Sequence, residues 1–312
     1  MPTRREFVQH SVALGGAIAG LGTAVSACAS SGAAGTTGAS VAAGGTMNAS
    51  STTTAHAGAA IKQSVCKWCF NDMTVDALAA NAKRIGIQSV ELIDPTDYAD
   101  VTKHGLICAM TNAPGDPRTR IPKGFNREEN HSWLIPLYTD YIAKVAAAKF
   151  PNLICFSGNR AGLGDEEGLE NCAKGLRQLT PIAERAGVTI CMELLNSKVN
   201  HPDYQCDHTA WGVKLVDMVK SDRFKLLYDI YHMQIMEGDV IRTIRDNHRA
   251  IAHYHTAGVP GRHEIDDGQE LFYPAIMRAI RDTGFTGYVA QEFVPERMAM
   301  VSLEDAYRRC AV

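Results

Sequence analysis

The stretch FKLLYDIYHMQIMEGD, Phe224 to Asp239, opens as an apolar run and stops on a carboxylate. Residues Phe224–Asp229 are short, continuous and rich in Leu and aromatics, the make-up of a strand buried on both faces. Such strands belong to parallel sheets covered by helices. Asp229 closes the run and His232 follows three residues later. A buried carboxylate costs free energy unless it is paired or metal-bound, so this placement demands a partner.

Outward from that run the pattern repeats. Strand candidates lie at 61–66, 87–93, 106–110, 152–156, 188–193, 224–229, 251–255 and 287–293. Helix candidates lie at 74–85, 131–149, 166–186, 208–220, 238–249 and 271–283, with a weaker one near 96–104 and a last one on LEDAYRRC. Glycines in RIGI, RAGV and DTGF separate helices from the strands that follow, where a left-handed C-cap is wanted. Eight strands alternating with helices fit an open doubly wound sheet or a closed barrel. No Gly-x-Gly-x-x-Gly follows the first strand, and no Walker-type loop appears. The expectation is therefore an α/β fold, a (β/α)8 TIM barrel forming a single domain over 61–312.

In such barrels the active site gathers at the C-terminal ends of the strands. Reading those ends, the last four candidates deliver Glu193, Asp229, His255 and Glu292 to one rim. Three carboxylates and an imidazole suit a hard-to-borderline divalent ion: Mn²⁺ or Mg²⁺ first, with Co²⁺ and Zn²⁺ as alternatives. A dication would leave the set one negative charge, which Arg262 in GVPGRHE can balance. His232 sits on the same rim. Trp68, Phe70 and Trp133 are candidate walls for a bound ligand, with core or rim packing the default for each singly, and Arg118, Arg120 and Lys123 could cradle a phosphate, with a solvated loop the default for those three.

The motifs MELLNS, YDIYHMQIMEGD, HTAGVPGRHE and VAQEF resemble those of the hydroxypyruvate isomerase branch of the xylose isomerase-like TIM-barrel superfamily. The resemblance covers about residues 64–296. It implies one divalent metal held by Glu193, Asp229, His255 and Glu292, with Glu193 and Glu292 also passing a proton between neighbouring substrate carbons. It implies further that His232 and Arg262 bind substrate oxygens with Glu264 supporting them, that Asn196 lines the site, and that Trp68 touches the substrate. The implied activity is a metal-dependent sugar isomerase or epimerase acting on a small hydroxy-ketone or keto-sugar through an enediolate. Alternatives are a lyase of the same superfamily, dehydrating or cleaving oxidised glycosides by β-elimination, and a non-catalytic sugar-binding lipoprotein. Two departures bear on the substrate. Hydroxypyruvate isomerases commonly carry Gln where this chain has His255, and Asp where it has Gly258.

The N-terminal residues are of another kind. Residues 1–28 join a charged start with Arg4-Arg5 to a glycine-broken apolar stretch, Val12–Val25, too short to span a bilayer comfortably. TRREFV resembles a twin-arginine signal and VSAC a lipobox, which places the protein in the periplasm or cell envelope with Cys28 as the site of a lipid anchor. Residues 29–60, almost wholly Ala, Gly, Ser and Thr, read as a disordered linker. A net charge of -3 without a basic cluster argues against nucleic acid as a partner. The expected partner is a small carbohydrate or keto acid, with the membrane touched only through the anchor and a homo-oligomer left open. The eight cysteines after Cys28 read mostly as small core residues.

Overall fold

The computed structural model describes residues 61–116 and 120–312. The expected signal and linker, 1–60, lie outside the described residues, as does Arg118. Seven parallel strands form one curled sheet: β1 (Lys62–Cys66), β2 (Ser89–Glu91), β3 (Asn152–Cys155), β4 (Thr189–Glu193), β5 (Phe224–Asp229), β6 (Ile251–Thr256) and β7 (Tyr288–Gln291). Their order is β2-β1-β7-β6-β5-β4-β3, which leaves β2 and β3 as the two sheet edges.

The expected strand at 106–110 fills that gap, but not as a regular strand. Ile107 bridges to Ser89 and Thr111 to Leu153, both in parallel sense. Backbone bonds from Val90 to Ile107, Leu92 to Met110 and Ile154 to Thr111 complete the closure. The ladder breaks because side chains intrude on it: the Ala109 N–H donates to Ser89 Oγ, and the Asn152 side-chain amide donates to the Ala109 carbonyl. The barrel thus has seven regular staves and one irregular one.

Helices α1 (Val75–Ile85), α2 (Tyr98–Thr102), α3 (Glu128–Ala147), α4 (Asp165–Ala186), α5 (Thr209–Val219), α6 (Ile230–Met236), α7 (Val240–Asn247), α8 (Tyr273–Asp282) and α9 (Ala299–Cys310) connect the staves. Thr74 caps α1 by accepting from the Ala77 N–H, and Gly86 ends it at φ 105°, the left-handed conformation that only glycine adopts without strain. Helix α6 is absent from the sequence-based expectation. It begins immediately after β5 because Asp229 ends the strand and caps the helix, accepting from the His232 N–H at 3.1 Å. All eight described cysteines are buried and unpaired. Among the described residues no helix is long and apolar enough to cross a membrane.

Candidate active site

The four strand-end residues converge. Glu193 closes β4, Asp229 closes β5, His255 lies one residue before the end of β6, and Glu292 follows β7 directly. Parallel register sets His255 level with Asp229 on one side and Ala290 on the other, so neighbouring strands carry their polar ends to one height. One donor atom from each of the four lies within 4.8 Å of the others, and all four residues are buried.

His255 is held from below. Its Nε2–H donates to Glu91 Oε1 at 2.9 Å, and His253 Nε2–H donates to the same oxygen at 2.8 Å. Cys66 Sγ lies 3.8 Å from that carboxylate. Glu91 and both histidines are fully buried. Burial alone would raise the Glu91 carboxyl; the charge and hydrogen bonds of His253 and His255 overcome it and bring it down to about 2. With Nε2 committed to Glu91, Nδ1 is the atom that faces the cluster. It lies 2.6 Å from Glu292 Oε2 and 3.5 Å from Glu193 Oε1, yet neither contact is aligned as a hydrogen bond. Burial works against a charged imidazole, but the surrounding carboxylates, Glu292 foremost, hold His255 well above its usual range. The surrounding carboxylates thus favour positive charge in their midst.

The carboxylates differ from one another. Burial, helped by Glu292, pushes Glu193 up to about 7. Burial also acts on Glu292, but His255, Arg262 and the Trp68 indole N–H, which donates to Oε1 at 2.7 Å, hold it well below the carboxylate range. Asp229 is raised by burial against the pull of Arg262.

Arg262 reaches in from the loop after β6. Its backbone is left-handed, at φ 63°. One nitrogen donates to Asp229 Oδ2 at 2.8 Å and to Glu292 Oε2, and the guanidinium lies against the rings of Tyr231, 4.8 Å away, and Trp68, 5.6 Å away. Its other terminal nitrogen meets His232 Nε2 at 2.8 Å. Asn196 meets the other ring nitrogen of His232. That side chain accepts from the Val199 and Asn200 N–H groups through Oδ1, so its amide N–H₂ points at His232 Nδ1, 2.6 Å away. Arg262 is likewise a donor, and a neutral imidazole accepts at only one ring nitrogen, so one of the two contacts sets an N–H against an N–H. Burial and Arg262 lower the tendency of the ring to take a proton.

These groups border a cavity of about 400 Å³. Glu193, Glu292, His232, Arg262, His201 and Trp68 line its polar side; Leu92, Ile121, Ile154, Phe156 and Leu195 line the other, with Arg120 and Asn112 at the margin.

Against known families, residues 79–309 match the model described as xylose isomerase-like TIM barrel. The chain belongs to the xylose isomerase-like TIM-barrel family. Within that family it is similar to a 2-oxo-tetronate isomerase of Haemophilus influenzae, 28% identical over 247 residues, spanning 75% of this chain and 93% of that protein. A hydroxypyruvate isomerase of Escherichia coli is 26% identical over 240 residues, spanning 73% of this chain and 91% of that protein. Among solved structures, an AP endonuclease, family 2, of Brucella melitensis superposes with a TM-score of 0.69 at 25% identity, covering 78% of this chain and 97% of that one. A 3-keto-D-glucoside 4-epimerase of Escherichia coli, at 18% identity and a TM-score of 0.66 over 80% of this chain and 98% of that one, shares the fold.

Of the site residues expected from sequence, this family barrel brings Glu193, Asp229, His255, Glu292, His232, Arg262, Asn196 and Trp68 together. Glu264 stands apart from the cavity. Its carboxylate accepts from the Glu296 and Arg297 N–H groups and from the Ser302 hydroxyl, anchoring the segment between β7 and α9. Phe70 is core, edge-on to Phe293. Trp133 and Lys123 line a separate surface depression with Arg127 and Asn159. The sequence reading missed Glu91, His253, Cys66 and His201. Glu91 was available to it, since it closes the second strand as Glu193 closes β4.

Proposed function

We propose that the protein is a divalent-metal-dependent isomerase or epimerase of small ketoses or keto acids, moving a proton between neighbouring carbons through an enediolate. The observation that carries this reading is the convergence of Glu193, Asp229, His255 and Glu292, with a buried His255 Nδ1 that lies against Glu292 but makes no aligned hydrogen bond among the described residues. Three carboxylates and that imidazole nitrogen are the donor set of a hard-to-borderline dication. A dication together with Arg262 would neutralise the three carboxylates. When bound, the ion supplies Lewis acidity toward adjacent carbonyl and hydroxyl oxygens.

The chain's own groups supply the rest. Glu193 and Glu292 are the proton carriers: one removes the C–H proton and the other returns a proton at the neighbouring carbon or on the opposite face. Arg262 and His232 both line the cavity, and the guanidinium would donate to a substrate oxygen there and hold charge as it develops. Trp68 fixes the Glu292 carboxylate from the solvent side. The isomerase class is shared with the two curated relatives named above, one acting on 2-oxo-tetronate and one on hydroxypyruvate.

A panel of ketoses and keto acids incubated with manganese-loaded protein in deuterated water tests the reading. Products of unchanged composition carrying solvent deuterium are expected; release of water or an aglycone would point to elimination instead. The Glu91 support gives a second test. Glu91→Gln is expected to weaken divalent-metal binding by about 10- to 100-fold, the usual cost of losing the carboxylate behind a ligating histidine. Unchanged affinity in a calorimetric titration would remove Glu91 from that role. Export to the envelope is a separate proposal, resting on Arg4-Arg5 and Val25–Cys28, and cell fractionation tests it; a wholly cytoplasmic protein would refute it.

A further inference from the structure

His201 lines the cavity beside His232, with the two ring centroids 5.4 Å apart and edge-on. Its backbone is pinned on both sides: the His201 N–H donates to the Asn196 carbonyl at 3.0 Å, and its own carbonyl accepts from the Tyr204 N–H at 3.1 Å. The ring is thus delivered to a fixed place, one residue-width from the group that faces Arg262. Among the described residues, no hydrogen bond reaches either of its ring nitrogens. Neighbouring polar groups are already engaged: Asn200 Oδ1 by Asn196 and Tyr231, and Glu292 by Trp68 and Arg262.

We infer that His201 is a specificity-determining residue that hydrogen-bonds a substrate hydroxyl beyond the reacting carbons, so that the preferred substrate carries such a hydroxyl. The inference rests on the isomerase reading above and narrows its substrate class. A neutral imidazole presents either an N–H or a lone pair at the nitrogen facing a ligand, and a hydroxyl, which both donates and accepts, can answer whichever is presented. Burial, then the nearby Arg262 charge, lower His201 to about 4, so the ring is neutral in ordinary buffers. The cavity agrees in size. At about 400 Å³ it leaves room beyond a three-carbon keto acid.

The test compares hydroxypyruvate, which has no hydroxyl beyond the reacting pair, with D-fructose and other ketohexoses, using the manganese-loaded full chain. His201→Leu is expected to lower kcat/KM for the ketohexose that wild type turns over best about tenfold more than for hydroxypyruvate, mainly through KM. His201→Gln, which keeps a donor and an acceptor, is expected to recover part of that selectivity. Equal losses on both substrates, or no loss, would overturn the inference while leaving the isomerase intact. So would a wild-type enzyme that turns over hydroxypyruvate and no longer ketose. Wild-type inactivity on the whole panel would instead defeat the isomerase reading, and this inference with it.

Discussion

Glu193→Gln and Glu292→Gln are each expected to suppress incorporation of solvent deuterium into substrate while leaving the far-ultraviolet spectrum close to wild type. The expected loss is at least about 10²- to 10⁴-fold, the range for removal of a positioned general acid or base, and it deepens because both residues also belong to the proposed ion site. Glutamine keeps the shape and one carbonyl oxygen, so a cavity or a packing fault cannot account for the loss. Metal content measured alongside separates the two roles. A variant that retains the ion yet exchanges no deuterium has lost the proton carrier alone. Undiminished exchange in both variants would rule out the proton-transfer scheme.

Removing the divalent ion is expected to lower thermal stability substantially. A ligand at a hundred times its dissociation constant stabilises the folded state by about 2.7 kcal/mol. For a domain of this size each kcal/mol moves the melting temperature by roughly 2–4 °C, so chelation should cost about 5–10 °C. The physical source is local: three buried carboxylates lie together, with Arg262 paired to Asp229 and Glu292 and His255 beside Glu193 and Glu292. Asp229→Asn should melt at one temperature with or without manganese, because it removes a donor and the charge that Arg262 pairs with. Asp229 also caps α6. The comparison that counts is therefore the metal-induced shift within each variant, since asparagine caps a helix about as well as aspartate.

Much of the barrel was legible because strand ends are local features. Phe224–Asp229 forms β5 over the residues its composition marks out. Parity within a strand and the rule that barrel sites lie at strand C-termini then place Glu193, Asp229, His255 and Glu292 on one rim. By the same parity His253 shares the inward face of β6 with His255, and Glu91 closes β2, so the buried support was readable in principle. Other features were not. Segment 106–110 has the composition of a strand, but Ser89 and Asn152 side chains replace part of its ladder, and no propensity foretells that. Helix α6 starts with no linker, because one aspartate ends a strand and caps a helix. Glu264 and His201 sit in loops, where spacing does not fix side-chain direction. The first turned out to anchor the β7–α9 segment, and the second came into view only through the fold of residues 194–208.

The most direct measurement is calorimetric titration of manganese into metal-stripped wild-type protein and into Asp229→Asn. One ion per chain in the wild type, with affinity weakened by orders of magnitude in the variant, is the predicted result. Absence of saturable binding in the wild type, or equal binding in both proteins, would mean that these four buried side chains do not share a cation.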